Sequence, residues 1–363
     1  MAKSKKERKN KRKLLLLILL LFVTLALLGS ATYAWFTSNQ TVNVDTMEVK
    51  VRSVNGLQIS ADAIDWKALV TKQELIDASN GDYSAAVNQF PTYLGNMSTV
   101  GAVNASGQVD MYYGSVRLEK SGSGASYTEQ YLLNTVKEVE TKCADGSTNE
   151  CGDGRHFIAF DLFFKLDANA TVKMTANSKV IALGDDKGIK NTARVAFVNL
   201  GHLDTDTYAE GQDDGSGNVT EGYTLAQQLT KTTGSVSDGT VKIWEPNMET
   251  HTVLGKQNAT ANYGITDFAS SAIQYQGAKA ACTDIPLNAW ADSTAYPNLA
   301  NCFEVVSPIS TPSNNSSTIE FFDMEAGVTK VRVYFWVEGN DVDAENNATG
   351  SDMQLDLEFT IAS

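Results

Sequence analysis

Met353-Gln354-Leu355-Asp356-Leu357-Glu358-Phe359-Thr360-Ile361 alternates apolar and polar residues without a break. Successive side chains of an extended strand point to opposite faces, so this period of two describes a strand with one face buried. One long loop upstream, Val331, Val333, Phe335 and Val337 alternate with Arg332, Tyr334 and Trp336, a second strand expected to pair with the first. Working outward, 157–166 is apolar on both faces, as the central strand of a sandwich is. Met47-Glu48-Val49-Lys50-Val51-Arg52 leads through Asn55-Gly56 to Leu57-Gln58-Ile59, the pattern of a tight hairpin. Further strands are expected at 171–175, 178–183, 193–199, 240–245 and 318–323.

Helical signals are few. Thr71-Lys72-Gln73-Glu74 has the form of a capping box opening a short helix, 224–231 offers another, and 127–140 fits either helix or strand. Polar loops such as Ser121-Gly122-Ser123-Gly124 and the acidic run 204–214 separate these elements, and no internal repeat is visible. Strands near both ends with irregular segments between them imply one elaborated all-β sandwich spanning 35–363, with insertions around 61–150 and 201–310. The alternative is a second, inserted subdomain around 61–150 or 201–310.

Composition bounds the function. In 363 residues, 42% are hydrophobic and 20% charged, ordinary for a folded chain. With 29 Lys and Arg against 43 Asp and Glu, the formal charge is -14 and nucleic acid is excluded as a partner, since phosphate binding needs clustered cations. Only 6 prolines rule out a Pro-rich stalk.

The charge is unevenly placed. Lys3, Lys5, Lys6, Arg8, Lys9, Lys11, Arg12 and Lys13 precede Leu14 against the single Glu7, and 14–28 is apolar apart from Thr24. As a helix this run is about 22 Å long, short of the ~30 Å hydrocarbon core, which favours a signal peptide. Thr32-Tyr33-Ala34 places small residues where a signal peptidase reads, so cleavage is expected between Ala34 and Trp35. The alternative is an uncleaved anchor over 14–36, the chain's only expected contact with a membrane. The body would be exported in either case.

Cys143, Cys151, Cys282 and Cys302 agree with export. Local bridges 143–151 and 282–302 are the simplest of three connectivities, and neither spacing matches a zinc site.

Ala31-Thr32-Tyr33-Ala34-Trp35-Phe36 directly after the apolar run, followed by a Val-rich first strand, resembles the exported TasA/camelysin-type proteins of Gram-positive bacteria. The resemblance continues in 160–165, in 194–198, and in the closing runs 333–339 and 355–361. It implies a jelly-roll β-sandwich, a signal peptide cut by a SipW-type peptidase, and assembly into fibres of the biofilm matrix. Camelysin-type relatives have been classed as metalloproteases without a recognisable metal motif. This chain departs from the compact members in its length and its four cysteines.

Two segments carry candidate chemistry. In 244–252, Glu245, Glu249 and His251 are possible zinc ligands, but no second histidine stands four residues away and no HExxH occurs. Asp341, Asp343, Glu345 and Asp352 place acidic oxygens as a calcium loop does, with Asn346 where such a loop has glycine. A solvated acidic turn explains the same residues, so at most a degenerate calcium site is expected and no cofactor is required. No nucleophile elbow or phosphate-cradling loop occurs. The expectation is a non-catalytic secreted or cell-surface structural protein, a matrix or adhesion component able to polymerise by strand addition. Alternatives are a camelysin-like metal-dependent protease and a membrane-anchored surface binding module.

Overall fold

The computed structural model describes residues 47–54, 56–80, 88–91, 94–104, 107–120, 127–138, 156–184, 186–204, 241–247, 250–257, 275–288, 297–307, 309, 318–344 and 352–361. Ala34, Trp35, Cys143, Cys151, Glu249, Glu345 and the segments 14–36 and 224–231 lie outside them. In chain order the strands are β1 (Met47–Ser53), β2 (Gln58–Ser60), β3 (Leu69–Thr71), β4 (Asn96–Ser98), β5 (Met111–Lys120), β6 (Tyr127–Val136), β7 (Ile158–Leu166), β8 (Ala170–Met174) and β9 (Lys179–Leu183). They continue with β10 (Ala193–Asp204), β11 (Val241–Trp244), β12 (Gln276–Ala278), β13 (Pro286–Leu287), β14 (Phe303–Val305), β15 (Ile319–Met324), β16 (Gly327–Glu338) and β17 (Asp352–Ile361). Helix α1 (Lys72–Asn80) follows β3 and opens on the expected capping box. There Thr71 donates its N–H and hydroxyl to Glu74 Oε2 at 2.8 and 2.9 Å. The segment 127–140, readable as helix or strand, contains strand β6.

Two sheets make the sandwich. The smaller runs β15-β8-β17-β1-β3, with β9 also on β17; the larger runs β11-β10-β16-β4-β5-β6-β13, with β7 on β16 and β2 on β7. Val331, Val333, Phe335 and Val337 of β16 meet Met353, Leu355, Leu357 and Phe359 of β17 in the core between the sheets. Phe359 packs edge-on against Phe164 and Phe197, with ring centroids 5.1 and 6.3 Å apart, and lies 4.9 Å from Phe321.

The closing strands therefore face each other across the core, and the expected β16–β17 pairing is corrected. All twelve positions of β16 are buried. Such a strand needs neighbours on both sides and cover on both faces; it has β10 and β7 beside it, and the next strand, β17, belongs to the opposite sheet. The Asn55-Gly56 hairpin is corrected for a related reason. β1 joins the smaller sheet and β2 the larger, so the turn is a corner from which Val51 and Ile59 enter the same core. Two pairings also depart from an antiparallel arrangement: β1 runs parallel to β17, and β4 parallel to the end of β16.

The outer face of the larger sheet is covered as well. Tyr334 and Trp336 enter a second core with Met97, Val109, Met111 and Phe157, so residues of the first insertion form a third layer. The two insertions meet where β13 pairs with β6, and Asp284 accepts from the Thr135 N–H and hydroxyl at 3.1 and 2.8 Å. Beside that contact Cys282 and Cys302 form the expected disulfide.

Deleting the Phe359 ring should leave a cavity that the sandwich cannot collapse to fill. Phe359→Ala is expected to cost ~3–5 kcal/mol of unfolding free energy, read from the urea midpoint at unchanged slope.

Candidate functional site

Arg194 is a cation in an apolar neighbourhood: it stands opposite Trp336 in the β10–β16 register and is almost fully buried. Burying a guanidinium is costly unless carboxylates and carbonyls surround it. Its NH2 pairs with Glu245, which follows the end of β11, and with Asp341 Oδ2 at 2.8 Å. Its NH1 donates to the carbonyls of Asn191 and Ala193, both at 3.0 Å, and its plane lies over the Tyr275 ring, 5.1 Å from the centroid.

Asp341 belongs to the turn that leaves β16. Its Oδ1 accepts from the Asp343 N–H at 2.9 Å, an Asx turn that aims the Asp343 carboxylate back at the sheet. Asp343 then accepts from Asn191 Nδ2 at 2.8 Å, Thr252 Oγ1 at 2.6 Å and the Thr252 N–H at 3.1 Å. His251 Nδ1 lies 3.2 Å from Asp343 Oδ2. Thr252 also accepts the Gly255 N–H at 2.9 Å and so caps the short helical segment 253–257. A Cβ on Gly255 would stand 2.2 Å from Asp343 Oδ1, so only glycine fits against this carboxylate.

The segments read separately in the sequence, 244–252 and 341–352, thus meet at one place. Ligating atoms of His251, Asp341 and Asp343 lie within 4.8 Å of one another, a set that includes an imidazole and two carboxylates. Asp352 begins β17, pairs in register with Leu183 and is not in this group. A divalent ion would have to use His251, Asp341 and Asp343, with Glu245 nearby. The oxygens of Asp343 are already committed to protein donors, and Arg194 supplies cationic charge beside Asp341 and Glu245. Chemically, the arrangement works as a clamp: it fastens the crossover turn 339–344 to β10 and to the segment after β11.

Buried carboxyl groups face this guanidinium and imidazole, and the ionisation of Glu338, Glu245 and Asp343 reflects their surroundings. Burial drives the Glu338 carboxyl up to about 7, against the pull of Arg194 and hydrogen bonds that include one from Trp336 Nε1 at 3.1 Å. Burial likewise raises Glu245, opposed by Arg194. For His251, burial disfavours the charged ring, but its bond to Asp343 and the charges of Asp341 and Asp343 hold its pKa above the ordinary value. Asp343 is held below its ordinary value because the donations from His251, Thr252 and Asn191 outweigh burial.

Arg194, Asn191 and Glu338 were not singled out by spacing, because the groups they serve are distant in sequence. The available signal was weaker: charges inside the apolar runs 193–198 and 331–338. Comparison with protein-family models, curated proteins and solved structures finds no match.

The pH dependence of stability follows from these shifts. Glu338 titrates near 4.5 when unfolded and about 7 when folded, so its burial costs nothing below 4.5 and progressively destabilises as pH rises to about 7. The His251 contribution is full below about 6.5 and disappears as pH rises through its raised folded value. Both act in one direction. The melting temperature should fall between pH 5 and pH 8 by calorimetry, and Glu338→Gln should flatten that fall.

Proposed function

We propose that the protein is an exported structural component of the cell surface or extracellular matrix, without catalytic activity of its own, that polymerises by exchanging β1 between copies. The observation carrying this reading is the position of β1. It pairs in parallel with β17 over seven residues, from Met47↔Met353 to Ser53↔Phe359, whereas β3 covers it over only three. Val49 and Val51 fill the inter-sheet core from this strand. If β1 leaves, β17 exposes an unpaired edge and two valine-sized vacancies, which the same strand of another copy fills with identical contacts.

The sequence around β1 favours the exchange. The basic and apolar segments 3–13 and 14–28 lie just upstream, so cleavage after Ala34 by a signal peptidase would start the mature chain at Trp35, shortly before β1. Retention of 14–36 as an anchor would instead hold the same sandwich at the membrane. Among the described residues no helix is long and apolar enough to cross one. The Cys282–Cys302 disulfide suits an oxidising compartment. The TasA/camelysin resemblance points the same way, toward matrix fibres and related matrix proteins as partners.

Strand exchange leaves a covalent signature. Lys50 and Asp356 are register partners, so Lys50→Cys with Asp356→Cys should form disulfides between copies in assembled material. Oxidation is expected to give a ladder of multimers on a non-reducing denaturing gel. Cross-linked monomers alone, at concentrations where particles are visible by electron microscopy, would reject exchange of β1.

A further inference from the structure

The outer face of β16 carries a second group of buried charges that the clamp around Arg194 does not use. Lys330 and Asp161 are each 0% exposed, and Lys330 Nζ lies 3.0 Å from Asp161 Oδ2. They stand on neighbouring strands: Lys330 is opposite Phe163, and Asp161 opposite Arg332, so all four side chains share one face. Arg332 NH1 donates to the other oxygen, Asp161 Oδ1, at 3.0 Å. Arg332 NH2 in turn pairs with Glu138, which also accepts from the Tyr334 hydroxyl. Asn88 Oδ1 accepts the Asp161 N–H at 2.9 Å and fixes the backbone of the aspartate. The Phe163 ring lies 6.0 Å from Lys330 Nζ.

We propose that Lys330 and Asp161 are joined by an intramolecular amide between Lys330 Nζ and Asp161 Cγ, closing β16 onto β7.

The two carboxylate oxygens have different surroundings, and the difference matches the roles that condensation requires. Oδ2 faces the amine. Oδ1 is held by a guanidinium, the donor arrangement that stabilises negative charge developing on a carbonyl oxygen. The ammonium first passes one proton to Oδ2, giving a neutral amine and a carboxylic acid. The amine lone pair then attacks Cγ while charge builds on Oδ1 against Arg332. A second proton moves from Nζ to Oδ2, the Cγ–Oδ2 bond breaks, and Oδ2 leaves as water. Nζ keeps one hydrogen, Oδ1 becomes the amide oxygen, and no oxidant or co-reactant is consumed.

Burial favours each stage. Away from water the charged pair is expensive, and the neutral amine and acid are correspondingly accessible. Desolvation lowers the Lys330 pKa, against the attraction of Asp161. Held at contact distance, such groups react with effective concentrations of about 10⁵ M or more. Charge balance also survives the reaction, since removing Lys330 and Asp161 as ions leaves Arg332 with Glu138. Glu138 is thus a positioning residue that holds the guanidinium, and Asn88 is another. The cross-link is independent of whether copies exchange β1, because it lies wholly within one larger sheet.

Peptide mapping of the full-length folded protein by mass spectrometry tests the proposal. The expected result is a branched peptide containing both Lys330 and Asp161, lighter than its two linear arms by one water, with protease cleavage after Lys330 blocked. Lys330→Met should abolish the branch and slow migration on a reducing denaturing gel. Asp161→Asn should keep the branch, with ammonia leaving in place of water. Recovery mainly of linear peptides with unmodified Lys330 and Asp161 from the folded parent protein would overturn it, leaving a buried ion pair. That outcome needs no variant to fold.

Discussion

β16 has no solvent-facing side. Its inward residues, Val331, Val333, Phe335 and Val337, form the larger sheet's half of the sandwich core, while Tyr334 and Trp336 on the reverse face are covered by residues of the first insertion. A strand buried on both faces demands paired neighbours along both edges, since an unpaired backbone group there would cost as much as a lost hydrogen bond. β10 supplies one edge, and β7 with β4 the other. The remaining layers follow from this demand. The smaller sheet covers one face, and the insertions, the second of them closed on itself by Cys282–Cys302, build out from the other.

The two groups of buried charge sit on the covered reverse face of that strand and at its end. Buried ion pairs add little net stability, because desolvation offsets attraction, but each wrong arrangement strands a charge and is strongly penalised. Arg194 with Asp341 and Glu245 therefore fixes where the chain turns after β16, and hence delivers β17 to the opposite sheet. Lys330, Asp161, Arg332 and Glu138 fix the register between β16 and β7. β1 contrasts with all of this. Its hold is one parallel ladder, a three-residue flap of β3 and two inward valines.

Strand positions were legible wherever periodicity was strong. The alternation at 353–361 and the two-sided apolar run at 157–166 are strands in the structure, as are the five shorter segments read from β-branched residues. Pairing was less legible, because alternation says which face is buried and not which neighbour lies alongside. Asn55-Gly56 has hairpin residues, yet Val51 and Ile59 serve different sheets, and long-range demand overrides the local turn preference. The site was legible in halves. His251 and Asp343 each stand in a local motif of their own, but their contact closes a gap of 92 residues that no spacing rule spans. Arg194, the cation that organises them, looked like one charge in an apolar strand.

Strand exchange requires a rigid β16 and a releasable β1, and hydrogen exchange of the native protein compares the two directly. Backbone amides of β16 should exchange only by global unfolding, with a denaturant dependence equal to that of the whole molecule, while those of β1 should exchange through a smaller local opening. Equal protection and equal denaturant dependence in β1 and β16 would contradict it, since β1 could then leave only when the sandwich itself unfolds.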